Sequence, residues 1–78
     1  MDARTARETV IKVRLAEVFG NNIAASLNAS ATAAGVVGGS EHEKLTLMVN
    51  SICADPRVLG MWGNAQTERQ KREWLALV

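Results

Sequence analysis

Apolar residues recur with a helical period in the first part of the chain. Four of them are spaced i, i+4, i+7 and i+8, as on one face of a helix: Ile11, Leu15, Val18 and Phe19. Thr5 followed three residues later by Glu8 is a capping-box pattern, which typically begins a helix. Gly20, followed by two asparagines, is typical of a helix end. The pattern therefore predicts a first helix that ends near Phe19.

A second apolar stripe lies in the middle of the chain, at spacings i, i+3, i+4 and i+7: Leu45, Met48, Val49 and Ile52. Ser40 and Glu43 form a second capping box immediately before it. This stripe predicts the core helix of the fold. Cys53 follows on the same helix, where a buried thiol is the usual role of a lone cysteine.

The last third of the chain contains two further helix signals. Asp55 precedes a proline, and this pair favours a helix start because aspartate is a good N-cap and proline is tolerated at the first helical position. We expect a short helix from Pro56 to about Trp62, a break at Gly63-Asn64, and a last helix from about Ala65 to Val78. The apolar final turn is expected to dock on the core of the chain itself, with packing on a partner as the alternative.

Residues 23–40 carry no charged side chain and consist mainly of small residues. Alanine favours helix, whereas asparagine, serine and threonine favour caps and turns. We predict a short helix from about Asn22 to Leu27, a turn, and a second short helix from Ser30 to Val37 that stops at Gly38-Gly39. No apolar run alternates with a period of two, so the predicted fold is an all-α, single-domain bundle of about four to five short helices over residues 1–78.

Composition agrees with a folded chain, being 47% hydrophobic and 22% charged. The single cysteine allows no intramolecular disulfide, which favours the reducing cytoplasm. No run of eighteen apolar residues and no secretory signal pattern occurs, so we expect a soluble protein that does not bind or cross a membrane.

No pattern of catalytic residues is present. His42 and Cys53 are eleven residues apart, about 16 Å along a continuous helix, which is too far for a nucleophile and its base. The carboxylates are accounted for by helix caps and ion pairs between helical turns. We therefore predict no enzyme, no metal site, no cofactor and no small-molecule substrate.

One segment, residues 23–37, resembles a helix-turn-helix unit. Ile23, Ala24 and Leu27 match the first helix of that family, Asn28 takes the place of the turn glycine, and Ser30 matches the cap of the recognition helix. The resemblance covers fifteen residues, and its recognition helix offers few side chains that could reach base edges.

DNA binding is the function that this resemblance implies. The net charge of +1 gives no general attraction to nucleic acid, so contacts would be local. The candidate nucleic-acid-binding residues are Arg4, Arg7, Arg14, Ser30 and Thr32. The segment from Ala54 to Trp62 also resembles the Asp-Pro-plus-tryptophan segment of some phage packaging small subunits, so the alternative function is a small DNA-binding regulator or a phage-type packaging factor.

The leading hypothesis is a non-enzymatic interaction module that docks on a protein partner or on a second copy of itself. The chain has more large apolar residues near its C-terminal end than such a short sequence readily hides. The candidate partner-binding residues are Met61, Trp62, Trp74 and Leu77, and the small-residue surface of residues 23–37 is a further candidate for docking.

Overall fold

The computed structural model describes residues 1–78 and contains four helices joined by short connections. Helix α1 covers residues 3–19, α2 is Asn21–Gly35, α3 is Glu41–Ala54 and α4 is Pro56–Leu75. There is no strand, so the prediction of an all-α bundle of about four to five helices is confirmed. None of the four helices combines the length and apolar character that crossing a membrane requires.

Helix α1 begins about one turn earlier than predicted, because its N-cap is Asp2 and not Thr5. The Asp2 carboxylate accepts hydrogen bonds from the Thr5 backbone N–H at 2.8 Å and from the Thr5 hydroxyl at 3.1 Å. An ionised cap accepts stronger hydrogen bonds than a neutral hydroxyl does. Glu8 instead accepts a hydrogen bond from Lys12 at 3.1 Å, so the predicted capping box of Thr5 and Glu8 is wrong.

Helix α1 also contains a π-helical turn. Its three consecutive segments are α-helical Ala3–Ala6, π-helical Arg7–Ile11 and α-helical Lys12–Phe19. Ala6 and Ile11 are five residues apart, which is about one turn of a π-helix, so both lie on the same face and are buried in the core. Leu15 is buried one α-helical turn further along this face. The predicted apolar face is confirmed at Ile11 and Leu15, while Val18 and Phe19 are half-buried.

Helix α2 is one continuous helix, so the predicted pair of short helices at Asn22–Leu27 and Ser30–Val37 is wrong. Residues 23–37 therefore do not form a helix-turn-helix unit. The Thr32 hydroxyl donates to the Asn28 carbonyl at 2.8 Å, a bond within the helix at the position where the turn was expected. The continuous helix buries one stripe of small and apolar residues: Ala24, Leu27, Ala31 and Gly35. Burial of this stripe outweighs the weak turn preference of Asn28 and Ser30.

Helix α3 is the predicted core helix, and both its cap and its stripe are confirmed. The Ser40 hydroxyl accepts a hydrogen bond from the Glu43 backbone N–H at 3.1 Å. The Glu43 carboxylate reaches back to the Gly39 N–H, also at 3.1 Å. The buried residues of this helix are Leu45, Met48, Val49, Ile52 and Cys53.

Helix α4 starts and bends where the sequence predicts. Asp55 is its N-cap and accepts a hydrogen bond from the Arg57 backbone N–H at 2.9 Å. Gly63, at φ 76° and ψ 169°, interrupts the helix, so residues 56–62 and 64–75 form two helical parts joined at a kink. The buried Thr67 hydroxyl donates to the Gly63 carbonyl at 2.7 Å and so ties the second part to the kink.

All four helices contribute to one hydrophobic core. Trp74 is 1% exposed and is the largest side chain of that core. Leu77 and Val78 are half-buried and pack against it, which confirms that the apolar final turn docks on its own chain. Trp74, predicted as a partner-binding residue, thus fills the core of this small bundle, and its role in partner binding stays a prediction.

Candidate functional site

A groove opens where the beginning of α1, the end of α2 and the beginning of α3 meet. Its cavity volume is about 310 Å³. The apolar part of its lining comes from all three helices: Ala3, Gly35, Val36, Leu45 and Met48. Leu45 and Met48 also belong to the core, so the floor of the groove is continuous with the packed interior.

The close approach of α2 to α3 creates one wall of this groove. A side chain at Gly35 would place its Cβ 2.9 Å from the Met48 Cγ atom. At Gly38, a Cβ would lie 2.7 Å from the Lys44 backbone nitrogen, which is closer than packed atoms allow. The chain therefore turns tightly between the two helices, and the valines before Gly38 are left outside the core.

These two valines are the most exposed large apolar residues of the molecule. Val36 is 71% exposed and Val37 is 82% exposed. Val36 lines the groove, and Val37 is its immediate neighbour. Val36 therefore extends the apolar lining of the groove to the outer surface, and Val37 is exposed directly after it in the chain.

The rim of the groove is positively charged. Three cationic side chains and one carboxylate line it, giving a net charge of +2: Arg4, Arg7, Lys44 and Glu41. Arg7 pairs with Glu8 at 3.1 Å, and Lys44 lies 3.7 Å from Glu41, whose side chain is 74% exposed. Arg4 forms no ion pair. Exposed ion pairs of this kind contribute little to the free energy of folding. Arg7 and Lys44 can therefore exchange their present carboxylates for those of a partner at small cost in free energy.

A second concave surface lies between α1 and the last part of α4, with a volume of about 440 Å³. Arg14, Arg69 and Glu73 line it, together with Leu77. The Arg14 guanidinium lies 5.7 Å from the centre of the Trp62 ring, at cation–π distance. This surface has fewer apolar side chains and one fewer unit of net positive charge than the groove.

The structure separates the predicted nucleic-acid-binding residues. It brings Arg4, Arg7 and Thr32 together at the groove. Arg14 lies at the second surface, and Ser30 is exposed on α2 without lining either site. A recognition helix that carries Ser30 and Thr32 does not exist, and DNA binding through the arginines stays a prediction.

The structure brings three of the predicted partner-binding residues together, since Trp62 lies against Trp74, and both Trp74 and Leu77 line the second concave surface. Met61 is 57% exposed, whereas Trp62 is half-buried between Phe19 and Trp74. Sequence reasoning did not single out Val36 and Val37 within the candidate surface of residues 23–37, and it missed Lys44. Two adjacent valines directly before a Gly-Gly pair are the signal that could have indicated the first two, because the glycines end the packed helix.

The remaining reactive side chains lie apart. His42 is exposed at the beginning of α3, and Cys53 is 7% exposed near its end. Burial raises the pKa of the Cys53 thiol to about 11. No three His, Cys, Asp or Glu side chains lie close enough together to hold a metal ion. In comparisons with known proteins, no family model, curated protein or solved structure matches this chain.

Proposed function

We propose that this protein is a non-enzymatic interaction module that docks on a protein partner through the groove and the adjacent Val36 and Val37. The observation that carries the proposal is the exposure of these two valines beside an apolar cavity. Single exposed apolar residues are ordinary on protein surfaces, but an apolar pair that continues into a cavity is typical of an interaction site.

The groove is held in shape by its own helices. Gly35 packs closely against Met48, which brings α2 and α3 together, and the Ser40 cap orders the first turn of α3. A site formed before binding loses less conformational entropy when a partner arrives, which favours affinity. We place this function in the cytoplasm, since the lone Cys53 allows no intramolecular disulfide.

The size of the molecule limits how the partner can dock. Its whole surface is 4485 Å², and a stable interface covers about 800 Å² on each side, about a fifth of that surface. A segment seated in the groove must therefore also contact the exposed valines and the rim. Docking of a helix or an extended segment into a groove is a common way to reach this area.

The test compares the double variant Val36→Ser, Val37→Ser with Val13→Ser, a matched change at an exposed valine on α1. The proteins are immobilised and exposed to lysate, and captured proteins are quantified by mass spectrometry. We expect wild type and the Val13 variant to capture the same partner in equal amounts. The double variant should no longer capture it. The purified partner should then bind about tenfold or more weakly to the double variant in calorimetry.

Light scattering at low and moderate salt, with and without a mixed-sequence DNA duplex, distinguishes the other functions. A mass that doubles without DNA and returns to the monomer in the double variant would identify a second copy as the partner. A complex with DNA that salt abolishes would favour the DNA-binding alternative. Capture that is unaffected by the valines would contradict the proposed docking surface.

A further inference from the structure

The charges at the groove constrain the chemistry of a docking partner, an inference that rests on the proposed function. Three cationic groups from two helices, Arg4, Arg7 and Lys44, line the groove with one carboxylate, Glu41, and Arg7 is paired with Glu8 outside the lining. A partner segment with carboxylates would complement this charge, whereas a basic segment would be repelled.

Arg4 is the cation most free to take a new partner. Its residue is exposed and forms no ion pair. Lys44 is held only by the exposed Glu41 at 3.7 Å, a distance longer than that of a strong charge-assisted hydrogen bond. Two cations on opposite helices can therefore bind carboxylates on either side of the cavity.

The floor of the groove requires an apolar group between those carboxylates. Leu45 and Met48 form this floor, and Met48 packs so closely against Gly35 that a Cβ atom there would lie 2.9 Å from its Cγ atom. The flexible methionine adapts to different aliphatic shapes. An aliphatic side chain of the partner would enter this cavity and contact its apolar floor.

We infer that the occupant of the groove is an acidic segment of a partner protein, in which an aliphatic side chain sits between carboxylates. The aliphatic group enters the cavity over Met48, and the carboxylates bind Arg4 and Lys44. Nucleic acid fits this site less well, since its phosphate backbone has no group for the apolar floor and requires a larger set of cations.

The probe is a short synthetic peptide with leucine between glutamates, compared with two peptides that carry glutamine or lysine in place of glutamate. Binding is followed by the amide shifts of the protein in NMR, which detect weak complexes and locate them. We expect the glutamate peptide to shift the amides of Gly35, Val36 and Lys44. The glutamine peptide should bind more weakly, and the lysine peptide should not bind.

Charge reversal tests the cations directly. The variant Arg4→Glu, Lys44→Glu should bind the glutamate peptide at least about tenfold more weakly and should now accept the lysine peptide. The matched control is Arg69→Glu, Arg72→Glu, which changes the net charge equally at a distance from the groove. Circular dichroism verifies that both variants are folded.

Each outcome separates this inference from the proposed function. If the glutamine peptide binds in the groove as tightly as the glutamate peptide, charge recognition is wrong and docking stands. If no peptide shifts the groove amides while valine-dependent capture persists, the acidic occupant is likewise wrong. Peptide binding at the groove without any valine-dependent partner would contradict the proposed docking function. A DNA duplex that shifts the Arg4 and Lys44 amides would overturn both.

Discussion

The ring of Phe19 lies 5.6 Å from the ring of Trp62, with the two planes inclined at 53°. Each of these aromatic residues directly precedes a Gly-Asn pair at which a helix is interrupted. Gly20 has φ 82° and ψ 164°, and Gly63 has φ 76° and ψ 169°, so the chain turns in the same way at both places. The aromatic contact thus joins the two places where the chain turns, at Gly20 and at Gly63. The buried ring of Trp74 packs on this contact, with its centre 6.1 Å from that of Trp62.

Replacement of Trp62 should destabilise the fold more than replacement of its exposed neighbour. We expect Trp62→Ala to lower the free energy of unfolding by about 2 kcal/mol, since the half-buried ring contacts both Phe19 and Trp74. Met61→Ala should change it by less than about 0.5 kcal/mol. Urea unfolding followed by circular dichroism measures both, and equal effects would contradict a structural role for Trp62.

Replacing Gly60 and Gly63 of α4 with alanine should have opposite effects on the stability of the protein. Gly63→Ala should destabilise by about 1–3 kcal/mol, because its φ of 76° and ψ of 169° are accessible to glycine almost alone. Gly60 lies inside the helix, and a Cβ atom at this position would meet no other atom within 4 Å. Gly60→Ala should therefore stabilise by about 0.5–1 kcal/mol. Thermal unfolding provides the comparison, and a stabilising Gly63→Ala would indicate a straight α4.

Alanine at Asn28 and at Ser30 should stabilise the protein by about 0.5 kcal/mol each, because both residues lie inside a continuous helix. Asn28→Ala should raise the free energy of unfolding further, since it removes a side-chain Oδ1 that is buried without a hydrogen-bond partner. In a helix-turn-helix unit, Ser30 would be an N-cap and its replacement would cost about 1 kcal/mol. The sign of the change in the urea midpoint therefore decides between the two conformations.

Asp55 should stabilise α4 in a pH-dependent manner. The Arg57 guanidinium, hydrogen-bonded to the carboxylate at 3.0 Å, lowers the pKa of Asp55 from its ordinary value of 3.8. A lowered pKa in the folded state gives stability that is present above the unfolded pKa and is lost as pH falls through the folded one.

Two variants distinguish the stability that comes from the capping hydrogen bond of Asp55 from the stability that comes from its charge. Asp55→Ala should cost about 1 kcal/mol at neutral pH, and Asp55→Asn should cost less because the amide still caps the helix. The stability difference between wild type and Asp55→Asn should shrink as pH falls below 3.8. A difference that is independent of pH would exclude a role for the ionised carboxylate.

Cys53 should be unreactive in the folded protein. Burial raises the pKa of its thiol from 9.0 to about 11, so at pH 9.0 the thiolate fraction is about fiftyfold lower than in the unfolded chain. We expect alkylation by iodoacetamide to be slower by at least that factor than in urea.

The same shift makes stability depend on alkaline pH. Between pH 9.0 and about 11 the unfolded thiol is ionised and the folded one is not, so the free energy of unfolding should fall as pH rises through this range. The variant Cys53→Ala should lack this component. An equal alkaline slope in wild type and variant would contradict a raised pKa.

Features that depend on local interactions could be predicted from the amino-acid sequence. Ser40 and Asp55 cap their helices through hydrogen bonds to backbone groups two or three residues away, so donor and acceptor are both visible in one short stretch of sequence. The stripe from Leu45 to Ile52 has a helical period that only one face of a helix can bury. Gly63 interrupts α4 for a local reason too, because the residue tolerates a backbone conformation that others avoid.

The continuity of α2 and the composition of the groove depend instead on tertiary packing. Local preference at Asn28 and Ser30 is weak, and the packing of Ala31 and Gly35 against α3 outweighs it. Arg4, Thr32 and Lys44 come together from three helices whose contact no local pattern encodes. Burial acts between residues that are distant along the chain, so the sites where such residues meet follow from the packing of the whole bundle.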